Sequence, residues 1–319
     1  MQGLYPVFKK ELSDHFSSYR FVILFALIGM VSLITSYMAG IHMKGNLEAL
    51  ASTRFPFLVL FSTPGAIFSM VQFVVFFGPL IGLILGFDTI NRERAHGTLI
   101  KLISQPIYRD AVINGKFLAG VTTISVMLIS IVLVISGFGL ALVGVVPGIE
   151  EIWRILIYLV ISIFYISFWL GLSILFSISF KGIATSALAS VALWIFLSFF
   201  ISLGADVVAG VFAPVDREAT TGPEMQIKNI RIKEGVSLCS PMVLYDEAIK
   251  TIIDPMRKTT RSAIMVGPYE EILSSRFQNP LSLGQSIIVV LPHITALIAI
   301  TLICFAISYT LFMVQEIKT

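Results

Sequence analysis

Apolar residues come in long blocks along this chain rather than at the short periods of a soluble fold. Runs at 21–43, 66–87, 117–146, 152–179, 184–203 and 283–314 each reach the roughly 20 apolar residues that a helix needs to cross a bilayer. Lipid offers no partner for backbone N–H and C=O groups, so a run of this length predicts a helix that satisfies them internally. Pro79 and Pro292 fall inside the second and sixth runs and predict kinks there.

Shorter patterns lie between the runs. Tyr5, Phe8, Leu12, Phe16 and Tyr19 recur at intervals of three and four, with Lys9, Lys10, Ser13 and Asp14 on other faces. This predicts an interfacial elbow helix over 1–20 that runs into the first span. Leu99, Leu102, Ile103 and Ile107 share that spacing and predict a short amphipathic helix within 89–110, with Gly97 as a bend, Thr98 as N-cap and Pro106 as its limit. The polar segment 204–282 predicts a small domain of its own. There Ser240 and Pro241 read as an N-cap and first-turn proline, with Leu244, Ala248, Ile252 and Ile253 forming a helical face until Pro255. The stretch "VDREATTGPEMQ" reads as a loop, and "MQIKNIRIKEGVSL" alternates as a strand or hairpin arm does.

Composition supports this division. Hydrophobic residues make up 56% of the 319 residues, charged residues 13%, and mean hydropathy is +0.92. A soluble domain carries about 25% charged residues. The fold class is thus an all-α membrane protein of six transmembrane helices, with membrane lipid as surroundings. A net charge of +3 is too small to imply a nucleic-acid partner. Cys239 and Cys304 are the only cysteines and sit in unlike contexts, so neither a disulfide framework nor a metal site follows. Lys9, Lys10 and Arg20 before the first run resemble the n-region of a signal peptide. The run is too long for an h-region and no small-x-small site follows, so an uncleaved span is expected.

Basic residues in the short connections set the orientation. Lys9, Lys10, Arg20, Arg92, Arg94, Lys101, Arg109, Lys116, Lys181 and Lys318 fall on one side, against Lys44, Arg54 and Arg154 on the other. Both termini and the 89–110 loop are then cytoplasmic, and 204–282 is extracytoplasmic. The expected organisation is an elbow at 1–20, five spans over 21–203, the external domain at 204–282, the sixth span at 283–314 and a cytoplasmic tail at 315–319.

Candidate chemistry is sparse. "EEIWR" at Glu150 and "EEILSSR" at Glu270 resemble the paired-Glu and Arg motif of intramembrane CAAX-type proteases, but neither has its spacing nor lies inside a span. Glu150, Glu151 and Arg154 read instead as an interfacial cluster at a helix start. His293 is the only imidazole at membrane depth, and the spans otherwise look almost empty of ionisable groups. This counts against an enzyme, and also against the alternative of a secondary transporter or channel not driven by ATP. Single methionines in the spans read as packing.

The N-terminal "KKEL", the six runs and "FDTINRERAHGTLIKLISQPIYRDAVINGK" together resemble the membrane subunit of ABC exporters of the type-2 permease family. The family pattern falls on Glu93, Gly97, Thr98, Leu99, Pro106, Ile107, Arg109, Gly115 and Lys116. "SPMVLYDEAI" is similar to a further family segment, with Ser240 where Asn is usual. The most similar branch is the permeases associated with copper-site maturation of nitrous oxide reductase. The resemblance implies that 89–110 is a coupling helix docking on a separate ABC ATPase subunit. Asn91, Arg92, Glu93, Arg94, His96, Gly97, Thr98, Leu99, Pro106 and Arg109 are the ATPase-coupling residues on this basis, with Glu93, Arg94 and His96 as polar contacts at an exposed turn. It also implies a second permease subunit, identical or not, and outward movement of cargo across the plasma membrane, and the scarcity of charge in the spans fits cargo that is lipid-like, peptide or drug-like. No phosphate-binding loop occurs in the sequence, so ATP and Mg would be held by the partner and no cofactor by this chain. The external domain is expected to bind substrate or a partner protein, or else to act as a lid.

Overall fold

The computed structural model describes residues 3–45, 55–62, 69–99, 107–214, 223–255 and 280–315. In chain order the helices are α1 (Leu4–Phe16), α2 (Tyr19–Gly45), a 3-10 turn (Pro56–Leu58) leading into α3 (Val59–Ser62), α4 (Met70–Gly86) and α5 (Asn91–Ala95). They continue with α6 (Arg109–Val143), α7 (Ile149–Ser179), α8 (Ile183–Ile195), a π turn (Phe196–Phe200), α9 (Ile201–Phe212), α10 (Pro223–Ser237), α11 (Pro241–Ile253) and α12 (Leu283–Val314). No strand occurs among the described residues.

Among the described residues, six segments are long and apolar enough to span a membrane: Tyr19–Ile41, Met70–Ala95, Arg109–Ala141, Ile149–Ser179, Ile183–Phe212 and Leu283–Val314. The third begins earlier than its apolar run and the fifth ends later, so each carries polar residues that the run alone excludes. At about 1.5 Å per residue, the 31 residues of α7 extend roughly 46 Å, well beyond a hydrocarbon core of about 30 Å.

The chain forms two compact units, one of Met1–Ala192 with Leu297–Thr319, the other of Leu193–Ala296. In the first, α4 lies against α7 at very short range. Gly78, Gly82 and Gly86 repeat every four residues along one face of α4. A Cβ on Gly82 would stand 2.6 Å from the Ile166 carbonyl oxygen, and one on Gly86 would stand 2.8 Å from Ser173 Cβ. Small residues let two backbones approach this closely, which is how membrane helices gain dispersion energy in the absence of a solvent-driven force. Pro79 removes the N–H that would bond the Val75 carbonyl. The Tyr165 hydroxyl of α7 donates to that carbonyl instead (2.9 Å), and Ser173 Oγ donates to the Leu83 carbonyl (2.8 Å). α12 reaches α7 through Ser308 Oγ, which donates to the Gly171 carbonyl at 3.2 Å.

At the N-terminal end of α7, the Glu151 carboxylate accepts from two backbone N–H groups, Gly148 (2.7 Å) and Phe57 (2.8 Å). One side chain therefore caps its own helix and anchors the 3-10 turn. Arg154, fully buried, pairs with Glu150 at 2.9 Å and lies 5.3 Å from the Phe55 ring centroid. The expected interfacial cluster is present, with its cation sealed from solvent.

In the second unit, α9 and α10 pair. Asn229 Nδ2 donates to the Ala209 and Ala213 carbonyls (3.0 and 2.7 Å), closing the end of α9, and Lys233 pairs with Asp206. This corrects the strand or hairpin expectation for "MQIKNIRIKEGVSL", and its first residues with those before them from Pro223 are helix, not loop. The alternation was local, whereas Met, Gln, Lys and Glu are good helix formers and Asn229 and Lys233, four apart, meet the same neighbour. Residues 215–222 lie outside the described residues. α11 begins with Pro241 and ends at Ile253, burying Leu244, Ala248, Ile252 and Ile253 as its pattern predicts, while Ser240 holds the N-cap position without a side-chain capping hydrogen bond.

Candidate functional site

Below Gly86 the chain turns through 87–90 into α5. The Ser177 hydroxyl of α7 accepts from the backbone N–H groups of Ile90 (3.0 Å) and Asn91 (3.1 Å), capping α5 from another helix. Asn91 Nδ2 donates to the Gly182 carbonyl at 3.3 Å. Gly97 has φ +65° and open space around its missing side chain, so its backbone angle, not close approach, is what calls for glycine. The predicted bend is there. Thr98 Oγ1 donates to the Glu93 carbonyl (3.3 Å), and Leu99 is buried.

The inward face of this turn carries a buried ion cluster. Lys116 Nζ of α6, 2% exposed, sits 2.8 Å from Glu11 Oε1 and 2.9 Å from Glu93 Oε1, whose side chains are 11% and 12% exposed. One ammonium thus joins α1, the turn and α6. Lys10 Nζ adds contacts to Glu11 (3.0 Å), Asp14 (3.4 Å) and Glu93 (3.6 Å). Arg20 at the start of α2 pairs with Asp88 at 2.6 Å and lies 5.2 Å from the Phe87 ring centroid. The joint between α1 and α2 is held by Ser18 Oγ, which donates to the His15 carbonyl and accepts from the Phe21 N–H. Gly115 lets α1 close on α6, since a Cβ there would meet Val7 Cγ1 at 2.8 Å.

Electrostatics follow from burial and these neighbours. Burial pushes the Glu11 carboxyl up, but Lys116 and then Lys10 outweigh it and hold the group below the usual carboxylate range. Burial lowers the Lys10 ammonium, and Glu11, Glu93 and Asp14 more than reverse this, leaving it raised. For His15 burial prevails over the attraction of Glu11, so it stays neutral to lower pH than a free histidine. These groups line a cavity of about 520 Å³ whose remaining walls include Ile84, Leu85, Thr89 and Arg92.

Two arginines of the loop cap long helices instead. Arg94 donates to the Ile178 carbonyl at the end of α7 (3.3 Å) and to Gln315 Oε1, and Arg109 donates to the Met313 (3.4 Å) and Gln315 (3.2 Å) carbonyls at the end of α12. Cations there complement the negative end of the helix dipole.

Of the expected polar contacts at an exposed turn, His96 is exposed, whereas Glu93 and Arg94 face inward, Glu93 drawn to Lys116 and Arg94 to the helix end. Arg92 is exposed beside His96. His96 Nδ1 donates to the Arg92 carbonyl at 2.7 Å. Leu102, Ile103 and Pro106 lie outside the described residues, as does most of the predicted amphipathic helix. Asp88, Glu93 and Lys116 fall within segments of spanning length but beyond the apolar runs, and Arg154 lies near the start of its run. They are affordable there because each has an opposite charge within 3 Å. Glu11, Asp88 and Ser177 were not singled out by sequence. The available signal was Lys116, a cation with apolar neighbours that requires an anion from elsewhere.

Comparison with known proteins agrees with this architecture. A family model described as "ABC-2 family transporter protein" matches residues 5–317. The chain is similar to the "Probable ABC transporter permease protein NosY" of Stutzerimonas stutzeri, 28% identical over 205 residues, 63% of this chain and 68% of that protein. A protein of the same name from Pseudomonas aeruginosa is 35% identical over 92 residues, 28% of this chain and 31% of its own length. With a match over nearly its whole length and six helices of spanning length, the chain belongs to the ABC-2 family of transporter proteins, as a multi-pass membrane permease subunit.

Proposed function

We propose that this permease is the membrane half of an ATP-driven exporter, in which two permease subunits pair and two cytoplasmic ABC ATPase subunits drive the cycle. The turn at 87–99 with the following 100–110 is the coupling element, both termini are cytoplasmic, and the cargo is lipid-like, peptide or drug-like, moved outward across the plasma membrane. The observation that carries this is the fastening of the turn on its inner side, by Ser177 of α7, Lys116 of α6 and Arg20 of α2, while Arg92 and His96 remain exposed. A segment gripped by three long helices and open on one side is suited to pass a movement from a docked partner into the spans. The exposed apolar residues Phe196, Phe200, Leu203 and Val207 supply surface for lipid or for the second permease.

The native Cys239 is exposed and Cys304 is buried, so labelling can test the orientation. Intact cells treated with an impermeant maleimide should label Cys239. A Cys239→Ser, His96→Cys variant should label only after lysis and, once modified, should lose co-purification with the ATPase. Labelling of residue 96 from outside would discard the assignment, and transport that persists without the ATPase but stops with an ionophore would favour a secondary carrier.

A further inference from the structure

We propose that Gln315, at the end of α12, is a positioning residue through which the turn at 87–99 moves the sixth span relative to α7, an inference that rests on the coupling role of that turn. Arg94 of the turn and Arg109, which starts α6, both reach it. Arg94 donates to the side-chain oxygen of Gln315, and Arg109 donates to its main-chain carbonyl at 3.2 Å. Gln315 Nε2 in turn donates to the Ile178 carbonyl of α7 at 3.3 Å, the same carbonyl that Arg94 reaches at 3.3 Å. One residue thus joins the turn, α7 and α12 at a single point.

Gln315 is also the last rung of a ladder. Thr301, Ser308 and Gln315 follow one another at intervals of seven and bond the carbonyls of Phe164, Gly171 and Ile178, which are spaced in the same way. The two helices therefore run parallel in heptad register. The first two rungs are built to let go. Thr301 Oγ1 lies 2.7 Å from the Leu297 carbonyl of its own helix and 3.4 Å from that of Phe164, and Ser308 Oγ lies 2.9 Å from the Cys304 carbonyl and 3.2 Å from that of Gly171. A hydroxyl has one proton, so a rung that leaves α7 keeps its bond within α12 and strands no donor. The third rung differs, because Ile178 lies in the last turn of α7, where carbonyls lack an intrahelical N–H. Packing agrees with a joint that can part. A Cβ on Gly171 would stand 3.6 Å from Phe117 and 3.8 Å from Cys304 Sγ, ordinary contacts, whereas one on Gly82 in the α4–α7 seam would stand 2.6 Å from a backbone oxygen. Leu302, Ile303, Ile307 and Leu311 leave another face of α12 exposed. α12 can therefore move off α7 at little cost, and Gln315 is where the turn holds it.

A cross-link tests this. With a Cβ at position 171 so near Cys304 Sγ, Gly171→Cys in a Cys239→Ser background places a second thiol within disulfide reach of the native one and reports on the α7–α12 contact. The full-length permease is reconstituted with its ATPase and oxidised with copper-phenanthroline, either without nucleotide or trapped with ATP and vanadate. The disulfide should form readily without nucleotide and more slowly in the trapped state. Gln315→Met should lose this nucleotide dependence while keeping the nucleotide-free rate and co-purification with the ATPase. Gln315→Glu, which retains an acceptor for Arg94, should keep the dependence. A Gln315→Met variant whose nucleotide-free rate changes while its response to trapping survives would make the residue a mere helix cap and overturn the inference. A rate indifferent to trapping in the parent, alongside maleimide labelling of His96→Cys that does respond to nucleotide, would overturn it too and leave the coupling role of the turn standing. No response at either position would overturn both.

Discussion

Replacing Lys116 by methionine keeps the length of the side chain and removes the buried cation shared by Glu11 and Glu93, leaving them only the half-exposed Lys10. Both carboxylates are nearly sealed, at 11% and 12% exposure, and neither can turn to water without opening the α1–α6 contact. Removing one partner from a buried ion cluster costs about 3–5 kcal/mol, mostly the penalty of the charge left behind. Adding Glu93→Gln should return about 1–3 kcal/mol of this in a double-mutant cycle. The pH dependence gives a second handle. In the wild type, Glu11 titrates below 4.5, so its contribution is present above 4.5 and is lost as pH falls through the folded value. Without Lys116 the strongest influence opposing burial is gone and only Lys10 remains, so the folded carboxyl titrates higher than in the wild type, and falling pH protonates it earlier in the folded state and relieves part of the strain. The stability gap between Lys116→Met and wild type, measured by unfolding in detergent micelles, should therefore narrow as pH falls from 7 towards 4.5. A gap below about 1 kcal/mol at pH 7, or one that is constant with pH, would refute the clustering of charges as described.

Tyr165→Phe should cost about 1–2 kcal/mol, because it strands the carbonyl freed by Pro79. In a Pro79→Ala background, where the backbone N–H returns, the same change should cost much less, and equal costs in both would count against the compensation. His15 is held below 6.5 by burial, so its contribution to stability is complete above that value and declines as pH drops through it. His15→Asn should therefore flatten the fall in stability between pH 7 and pH 5, measured by unfolding in detergent micelles.

The spans were legible in the sequence because bilayer thickness imposes a length that a composition window detects. α11 was legible too, since Ser240, Pro241 and Pro255 punctuate it locally. Local pattern failed where a neighbour decides the outcome. Asn229 and Lys233 belong to a helix because α9 offers them two carbonyls and a carboxylate, none of which is visible in a period-two alternation. The same limit applies to the ion cluster. Glu93 and Lys116 stood in one family pattern, yet their contact, and the arrival of Glu11 from more than a hundred residues away, depends on α1 folding back over α6.

The glycine face of α4 has a mechanical consequence. Backbones held at that range, cross-linked by Tyr165 and Ser173 and capped by Ser177, behave as one stiff rod rather than two sliding cylinders. A push delivered to the turn at 87–97 enters α7 at Ser177 and travels towards Trp153, 24 residues and about 36 Å along the same helix, without meeting a joint. Trp153 is 55% exposed, so the protein carries a native fluorescent gauge at the far end of its own lever.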